Sequence, residues 1–288
     1  MINILVTTDG SQPSRRVLPH ATRLAAACGG RITLARVLNP LVDLGSELAT
    51  HVAAAAGRVA EEWRIALDAS LAASGVEGAG LVVVQQHGED THDAILRAAA
   101  EQQAAIIAIH SRGAGALRHA LLGSVAMGVL GDSEYPVMLT GEHVEAPSHE
   151  GTYKLLMTSD GSASSLAIVR VLAPLLEGKD VAIKLVRVCE PRSGRPGPEA
   201  EQESCRQQLE SVRRLLPAGI ACECDCSAAA HEQPTAQVIV EAALTADADA
   251  IAMSTHGHGA LHHLLAGSVA LDVLARSPLP TILARSNG

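Results

Sequence analysis

Aromatic residues are nearly absent from this sequence. Among its 288 residues there is no Phe, and the aromatic side chains amount to one Trp and two Tyr. The hydrophobic share is nevertheless 48%, so the core must be built from small aliphatic side chains. Such side chains suit a parallel β-sheet that helices cover on both faces. The same scarcity removes the stacking platforms expected of a protein that binds single-stranded nucleic acid.

The chain also lacks an excess of basic residues. It has 22 Lys and Arg against 31 Asp and Glu, which gives a formal net charge of -9. An acidic chain is a poor partner for nucleic acid or for an anionic membrane surface, and we expect neither. We expect any bound phosphate to be held by local backbone amides rather than by a basic surface.

Long apolar runs and a cysteine framework are missing as well. No apolar stretch approaches the roughly 20 residues of a membrane span. Strand-like residues follow Met1 closely, which leaves no room for the charged and apolar regions of a secretion signal. Six cysteines are too few for a disulfide scaffold at this length. These features predict a cytoplasmic protein with reduced cysteines.

The sequence contains an internal repeat. Residues 3–11 (NILVTTDGS) match residues 154–162 (KLLMTSDGS), an offset of 151. Residues 111–126 (SRGAGALRHALLGSVA) match residues 255–270 (THGHGALHHLLAGSVA), an offset of 144. Two matches in the same order predict a duplicated domain. The predicted organisation is a first domain, a polar linker and a second domain, at residues 1–140, 141–152 and 153–288.

Each copy alternates strand-like and helix-like segments. In the first copy the predicted strands cover residues 2–8, 32–38, 81–86, 104–109 and 136–140. The predicted helices between them cover residues 13–28, 47–74, 91–102 and 124–132. Strands that alternate with helices form right-handed βαβ units, which predicts a doubly wound parallel sheet in each copy.

An Asp-Gly-Ser sequence follows the first strand of each copy, with Asp9 in the first and Asp160 in the second. In a doubly wound sheet, ligands bind beyond the carboxyl ends of the strands, where the strand order reverses. An Asp at that point can accept hydrogen bonds from a ribose or nucleobase, or help to hold a Mg²⁺ that bridges phosphates. The alternative role is structural, because Asp also caps the helix that follows such a turn.

A spaced glycine pattern follows the fourth strand of each copy. It consists of Gly, nine residues, Gly and Ser, and it occurs at Gly113, Gly123 and Ser124 and again at Gly257, Gly267 and Ser268. Glycine lets the backbone approach a phosphate closely. Each serine stands at a predicted helix start, where free N–H groups and the helix dipole favour an anion. The pattern favours phosphate binding, although a turn and an ordinary helix cap would use the same residues.

These motifs resemble those of the universal stress protein family, whose ATP-binding members carry Gly-x2-Gly-x9-Gly-Ser/Thr after the fourth strand and an Asp after the first. The resemblance covers nearly the whole chain, twice, so the chain is similar to a tandem universal stress protein. It implies an α/β fold of the adenine-nucleotide alpha-hydrolase-like type, with two doubly wound five-stranded parallel sheets of order 3-2-1-4-5. It also implies a stress-response module that binds ATP, with or without Mg²⁺.

The resemblance further implies how each site residue would act. Asp9 and Asp160 would meet the sugar or metal side of the nucleotide. Val37 and Val188, which close the second strands, would contact the adenine through backbone groups. The glycines and serines of the two spaced patterns would hold the phosphates.

The chain departs from the family motif at its first glycine. His110 stands there in the first copy and Ser254 in the second. That position ends the fourth strand, where a Cβ narrows the approach to the ligand, and His is the larger change. We therefore rank the second copy ahead of the first as the nucleotide site, with the first as the degenerate one, and whether both copies bind is left open. Against this ranking, Arg112 offers a phosphate-directed cation where the second copy has His256.

The residues leave three functions open. One is a regulatory module that binds ATP and changes its protein partners or its assembly. Another is a ligand-free interaction module of the same fold, and the third is a slow ATP hydrolase. Hydrolysis needs a base and cationic stabilisation near the γ-phosphate, yet neither glycine loop is followed by the Lys of a P-loop. We favour the regulatory module and expect no dedicated catalysis.

The resemblance also implies an assembly. Single-domain members pair through their last strands, and residues 136–140 and 280–284 occupy that position here. We therefore expect the two halves to pack as an internal pseudo-dimer. Whether two chains then form a further homodimer is left open.

Two clusters remain outside these motifs. One is a set of histidines in the two glycine loops: His119, His256, His258, His262 and His263. These imidazoles could form a metal site, but we favour a polar loop whose imidazoles face solvent. Cys222, Cys224 and Cys226 alternate along a strand, so their thiols share one face of it. We expect this face to be covered by a helix, with a redox or soft-metal site as the alternative.

Overall fold

The computed structural model describes residues 1–43, 52–112, 122–148, 150–189, 198–228, 233–255 and 267–286. The strands of the first half are β1 Asn3–Thr7, β2 Arg31–Leu38, β3 Gly78–Val84, β4 Ile106–His110 and β5 Val137–Thr140. Those of the second half are β6 Tyr153–Thr158, β7 Val181–Cys189, β8 Ala221–Ala228, β9 Ala250–Ser254 and β10 Thr281–Ala284.

Helices connect these strands in both halves. The first half contains a 3₁₀ turn Pro13–Arg16, α1 Val17–Ala27, α2 Pro40–Asp43, α3 Val52–Ser74, α4 Thr91–Glu101 and α5 Ser124–Asp132. The second contains α6 Ala167–Leu176, α7 Pro198–Arg213, α8 Thr235–Thr245 and α9 Ser268–Arg276. Within the part of the chain that the structure describes, none of the helices combines the length and apolar character that a membrane crossing requires.

All ten strands form one sheet in the order β3-β2-β1-β4-β5-β10-β9-β6-β7-β8. Each half is parallel throughout and has the order 3-2-1-4-5, which confirms the predicted doubly wound fold. The strand order reverses between β1 and β4 in the first half and between β6 and β9 in the second. The predicted sheets are therefore two halves of a single larger sheet.

The halves meet where β5 pairs with β10 in antiparallel fashion. The pairing is symmetric about Met138 and Ile282, which are 0% and 1% exposed. The last strands thus make the contact that we expected between the copies. Because β5 and β10 run in opposite directions, the carboxyl ends of the strands lie at opposite ends of the sheet in the two halves.

Two hydrophobic clusters cover the two faces of the sheet. Side chains alternate between them along each strand, so that Ile4 and Val6 enter one cluster and Leu5 the other. Helices α1, α3, α6 and α7 pack on the first face, and α4, α5, α8 and α9 pack on the second. A sheet covered on both sides explains why the central strands are continuously apolar rather than alternating.

The third strand begins earlier than the predicted residues 81–86 because it contains close-packed glycines. A Cβ added at Gly78 would lie 2.4 Å from the carbonyl oxygen of Ile32, and one at Gly80 would lie 2.8 Å from the Cβ of Leu67 in α3. The segment GAG has the composition of a turn, yet here it lets α3 lie close to an edge strand. The predicted start of α3 at residue 47 falls outside the described residues.

The cysteines of β8 lie on one face of the strand, as predicted. Their oxidation state differs from the prediction. Cys222, Cys224 and Cys226 all pack against the cluster on the α7 face. Cys226 forms a disulfide with Cys205 of α7, with a Cα–Cα distance of 6.2 Å. The prediction of a fully reduced chain is therefore wrong for this pair. Cysteine spacing gave no sign of it, because Cys205 reaches Cys226 only through the packing of α7 on β8.

The segment between β5 and β6 packs against α1 at the junction of the two halves. Arg23 donates to the carbonyl of Thr152 at 3.1 Å and to the Asp249 carboxylate at 3.3 Å. A cavity of about 130 Å³ lies beside it, lined in part by His20, Arg23, Glu145, Tyr153 and Asp249. The hydroxyl of Tyr153 is buried there without a hydrogen-bond partner among the residues described.

His20 is buried at this junction, and its burial makes stability depend on pH. Burial lowers the pKa of His20 to about 4, although a hydrogen bond with the backbone of Glu145 acts in the opposite direction. Between pH 6.5 and 4 the unfolded chain therefore binds a proton that the folded chain does not. The His20 contribution is complete above pH 6.5 and is lost as the pH falls towards 4, at a cost of about 3 kcal/mol.

We expect His20→Gln to remove this part of the pH dependence. The measurement is the free energy of unfolding from urea titrations at pH 7, 5.5 and 4.5. His87→Gln, which makes the same change at an exposed histidine, is the matched control for the substitution itself. Equal slopes for wild type and His20→Gln would contradict a neutral, buried His20.

Candidate functional site

In each half, the start of one helix lies against the strand end where the strand order reverses. Gly123, just before α5, donates its N–H to the Ser111 carbonyl directly after β4, at 2.7 Å. Gly267, just before α9, donates in the same way to Thr255 after β9, at 2.5 Å. Because β4 pairs with β1 and β9 with β6, the aspartate turns after β1 and β6 lie at the same end of their half. The structure thus places the Gly-Ser helix starts at the same end of each half as the aspartate turn.

The aspartates close their own turns. The Asp9 carboxylate accepts from the Ser11 N–H at 2.9 Å. The Asp160 carboxylate accepts from the Ser162 N–H at 2.9 Å and from its hydroxyl at 2.6 Å. The structural role that we considered for these residues is therefore present. Asp9 is exposed and Asp160 is half-buried.

The helices α5 and α9 begin without a side-chain cap. The N-cap residues of these helices are Gly123 and Gly267, and both have extended backbone. Because glycine has no side chain, neither helix start has a side-chain capping hydrogen bond from its N-cap residue. Ser124 and Ser268 follow them and are exposed. The first N–H groups of a helix lack intrahelical partners and attract anions, which suits these positions to a phosphate.

Part of the predicted site lies outside the described residues. This applies to the first glycine of each spaced pattern and to every histidine of the glycine loops, namely Gly113, Gly257, His119, His256, His258, His262 and His263. Their roles stay predictions. Val37 and Val188 are half-buried near the ends of β2 and β7, and their contact with an adenine also stays a prediction.

The two departures from the family motif behave differently. His110 is buried and shares a hydrogen bond of 2.9 Å with the Thr140 hydroxyl. Burial lowers the pKa of His110, as do Arg16 and Arg112 nearby, so the ring is neutral at pH 7. Ser254 instead donates to the Ser165 carbonyl at 2.9 Å and accepts from the Ile168 N–H at 3.1 Å. The second half thus has a small side chain, used to hold α6, where the first has an imidazole ring.

Arg112 is engaged elsewhere. Its guanidinium forms an ion pair with the carboxylate of Glu142, just after β5. The cation that we considered for a phosphate therefore already has a partner of opposite charge.

An arginine that the sequence reasoning missed lies over the aspartate turn of the first half. The Arg36 guanidinium stacks on the Trp63 ring, 3.4 Å from its centroid. A Cβ added at Gly10 would lie 2.8 Å from Arg36 Nη1, so the arginine rests on the turn. Burial lowers the pKa of Arg36, and the nearby carboxylates of Asp43 and Asp9 raise it. The first site is therefore covered by this stacked pair.

The second half has the same arginine with a different neighbour. Arg187 Nη1 and Gln208 Oε1 lie 3.8 Å and 2.9 Å from the position of a Cβ on Gly161. Both atoms are buried, and neither finds a hydrogen-bond partner within the described ranges. The aspartate turn of the second half therefore has a donor and an acceptor beside it whose hydrogen-bonding capacity is unused among the described residues. The signal in the sequence was the arginine before Val37 and Val188, which repeats at the offset of 151.

The chain was compared with protein families and with proteins of known sequence or structure. The model of the universal stress protein family matches residues 1–141 and 152–285. A search of the curated proteins found no significant match.

Solved structures resemble the whole chain. One is a universal stress protein from Archaeoglobus fulgidus DSM 4304, with 22% identity, a TM-score of 0.66, and coverage of 99% of this chain and 96% of that one. Another is a functionally unknown protein from Pseudomonas aeruginosa PAO1, with 15% identity, a TM-score of 0.60, and coverage of 99% and 92%. At these identities the similarity supports the fold alone.

The stacking of Arg36 on Trp63 can be tested by fluorescence, because Trp63 is the only tryptophan of the chain. We expect Arg36→Ala to move the tryptophan emission to longer wavelength, because removal of the guanidinium exposes one face of the indole to water. Arg64→Ala is the control, since Arg64 is adjacent in sequence but pairs with Glu61 and Asp68. Identical spectra for Arg36→Ala and wild type would show that Arg36 does not cover the ring.

Proposed function

The chain belongs to the universal stress protein family, and we propose that it is a regulatory module of the stress response that binds ATP in its second half. The observation that carries the proposal is the difference between the two aspartate turns. In the first half the turn is covered by Arg36 on Trp63. In the second half it is faced by Arg187 and Gln208, each with a buried polar atom that has no partner among the described residues.

The phosphates would lie against the start of α9. Gly267 provides no side chain to cap the helix, and the exposed Ser268 follows it. The N–H groups of this first turn and the Ser268 hydroxyl are suitable donors for phosphate oxygens. A net acidic protein can hold an anion in this way because the binding groups are local.

The nucleoside would lie towards the ends of β6 and β7. Arg187 offers a donor and Gln208 an acceptor, which matches a ribose hydroxyl group or a base edge. Val188 would contact the adenine through its backbone groups. Asp160 contributes one carboxylate, and Mg²⁺ usually binds to one or two carboxylates together with substrate phosphates. We therefore propose Mg²⁺-ATP as the ligand.

We propose binding rather than turnover as the function. Phosphoryl transfer depends on positioned cations and a group that orients the attacking water. Neither glycine loop is followed by the lysine of a P-loop. The loaded protein would act in the cytoplasm, through a protein partner or a further homodimer that distinguishes it from the empty form. The ligand-free role suits the first half, where Arg36 rests on the aspartate turn and stacks on Trp63.

The phosphate position can be tested by a substitution that separates binding from stability. We expect Ser268→Asp to weaken ATP binding about tenfold or more, because a carboxylate repels the phosphates. An acidic residue in the first turn of a helix is favourable, so stability should hold or rise by about 0.5 kcal/mol. The measurements are calorimetric titration with Mg²⁺-ATP and thermal unfolding.

Ser124→Asp is the matched control, because it makes the same change at the start of α5. It should leave ATP binding unchanged. A loss of affinity in Ser124→Asp but not in Ser268→Asp would place the nucleotide in the first half and overturn the ranking of the sites. Equal affinity in both variants and wild type would exclude the two helix starts as phosphate sites.

A further inference from the structure

The disulfide of the second half lies next to the arginine of the candidate site. In the parallel pairing of β7 with β8, Arg187 is the register partner of Cys226. Register partners project to the same face of a sheet, here the face on which α7 packs. Cys226 is bonded to Cys205, which is 1% exposed within α7. A covalent bond therefore fixes α7 to the strand beside Arg187.

The same helix carries the residue that faces the aspartate turn. Gln208 is three residues after Cys205, on the adjacent turn of α7, so the two side chains project from neighbouring positions of the helix. Gln208 Oε1 lies 2.9 Å from where a Cβ on Gly161 would be, and Gly161 has a φ of +82°. Only a glycine readily takes that conformation and leaves the space that Gln208 occupies. The position of α7 therefore sets the position of Gln208 at the turn.

We propose that Cys205 and Cys226 are a redox-modified pair, oxidised reversibly by small-molecule disulfides, whose bond holds Gln208 at the second site and strengthens nucleotide binding. The inference rests on the proposed function for its ligand. It concerns the regulation of that site.

The chemistry balances as two exchange steps. The Cys226 thiolate, which is half-buried rather than buried, attacks a small disulfide such as oxidised glutathione and forms a mixed disulfide as one glutathione thiolate leaves. The Cys205 thiolate then attacks the Cys226 sulfur, and the second glutathione leaves. The two protein thiols lose two protons and two electrons, and the small disulfide is reduced to two thiols. A dithiol reductant reverses the reaction.

The neighbouring cysteines do not compete for this bond. Burial raises the pKa of Cys222 to about 12, and it also raises the pKa of Cys224. Exchange requires a thiolate, so at neutral pH both side chains remain thiols. We therefore expect the two cysteines that share its face of β8 to exchange only slowly with the Cys205–Cys226 pair.

The first half provides an internal comparison. Its corresponding elements, α3 and β3, contain no cysteine. There the residue that faces the arginine is Trp63, held by packing rather than by a bond. Redox state should therefore affect the second half and leave Trp63 unchanged.

The bond itself is tested by counting thiols. The protein is equilibrated with oxidised glutathione or with dithiothreitol, denatured, alkylated and examined by mass spectrometry. Of the six cysteines, we expect four to be alkylated in the oxidised protein and six in the reduced protein, with Cys205 and Cys226 in one cross-linked peptide. Six alkylated cysteines after oxidation would overturn the proposal.

The effect of the disulfide on nucleotide binding is tested by measuring the affinity for Mg²⁺-ATP in both redox states. Calorimetric titration with Mg²⁺-ATP should show binding about fivefold or more tighter in the oxidised than in the reduced protein, within the usual range of coupling between sites. Cys205→Ser and Cys226→Ser should each bind as the reduced protein does in both conditions. The double variant Cys222→Ser/Cys224→Ser keeps the bonded pair and should retain the difference. Equal affinities of oxidised and reduced wild type would overturn the proposal.

Hydrogen exchange separates this inference from the proposed function. Reduction should speed amide exchange in α7 and in the turn at residues 160–162, while the turn at residues 9–11 and the Trp63 emission stay the same. If no nucleotide binds in either redox state, the proposed function fails. The effect of the disulfide on the turn at residues 160–162 is then tested by the rate of amide exchange alone. Unchanged exchange on reduction would overturn that effect.

Discussion

The antiparallel pairing of β5 with β10 determines the arrangement of the whole molecule. Each half is a doubly wound parallel sheet that would otherwise expose its last strand as an edge. The pairing buries both edges and creates one continuous sheet with hydrophobic clusters on its two faces. It also turns the halves in opposite directions, so that the two aspartate turns lie at opposite ends of the sheet. Any ligand of one half is thereby kept away from the corresponding site of the other.

Two sites on a duplicated fold can diverge without changing the backbone. The turns after β1 and β6 keep the same internal hydrogen bonds, including those between Thr8 and Ser14 and between Ser159 and Ser165. What differs is the side chain that the long helix after the second strand presents to the arginine that both halves carry, Arg36 or Arg187. Trp63 stacks on the Arg36 that rests on the first turn, whereas Gln208 leaves polar atoms at the second without partners among the residues described. We attribute the proposed difference in function between the halves to this exchange.

Much of the fold could be predicted from the sequence because it follows from repeated local patterns. The duplicated motifs, the alternation of strands and helices, and the glycine-serine helix starts all depend on neighbours in sequence. The start of β3 was missed because Gly78 and Gly80 have the composition of a turn, and only the packing of α3 shows why they are in a strand. Composition alone does not distinguish a glycine that ends a strand from one that admits a helix.

The missed site residues depend on contacts between distant parts of the chain. Arg36 meets Trp63 across 27 positions of sequence, and Cys205 meets Cys226 across 21. Neither pair has a spacing motif, since each forms only when the helix after the second strand packs on its face of the sheet. A structural role for Asp9 and Asp160 was one of the two predicted alternatives. Both carboxylates indeed accept a hydrogen bond from a backbone N–H of their own turn.

The most direct test of the account is the number of nucleotides that one chain holds. Native mass spectrometry of the protein with saturating Mg²⁺-ATP gives this number for each chain without a label. We expect one nucleotide for each chain, because the second half has polar atoms without partners among the described residues, whereas Arg36 of the first half is stacked on Trp63. Two nucleotides for each chain would show that Arg36, Trp63 and His110 do not close the first site. None would contradict nucleotide binding and leave a ligand-free interaction module as the function of both halves.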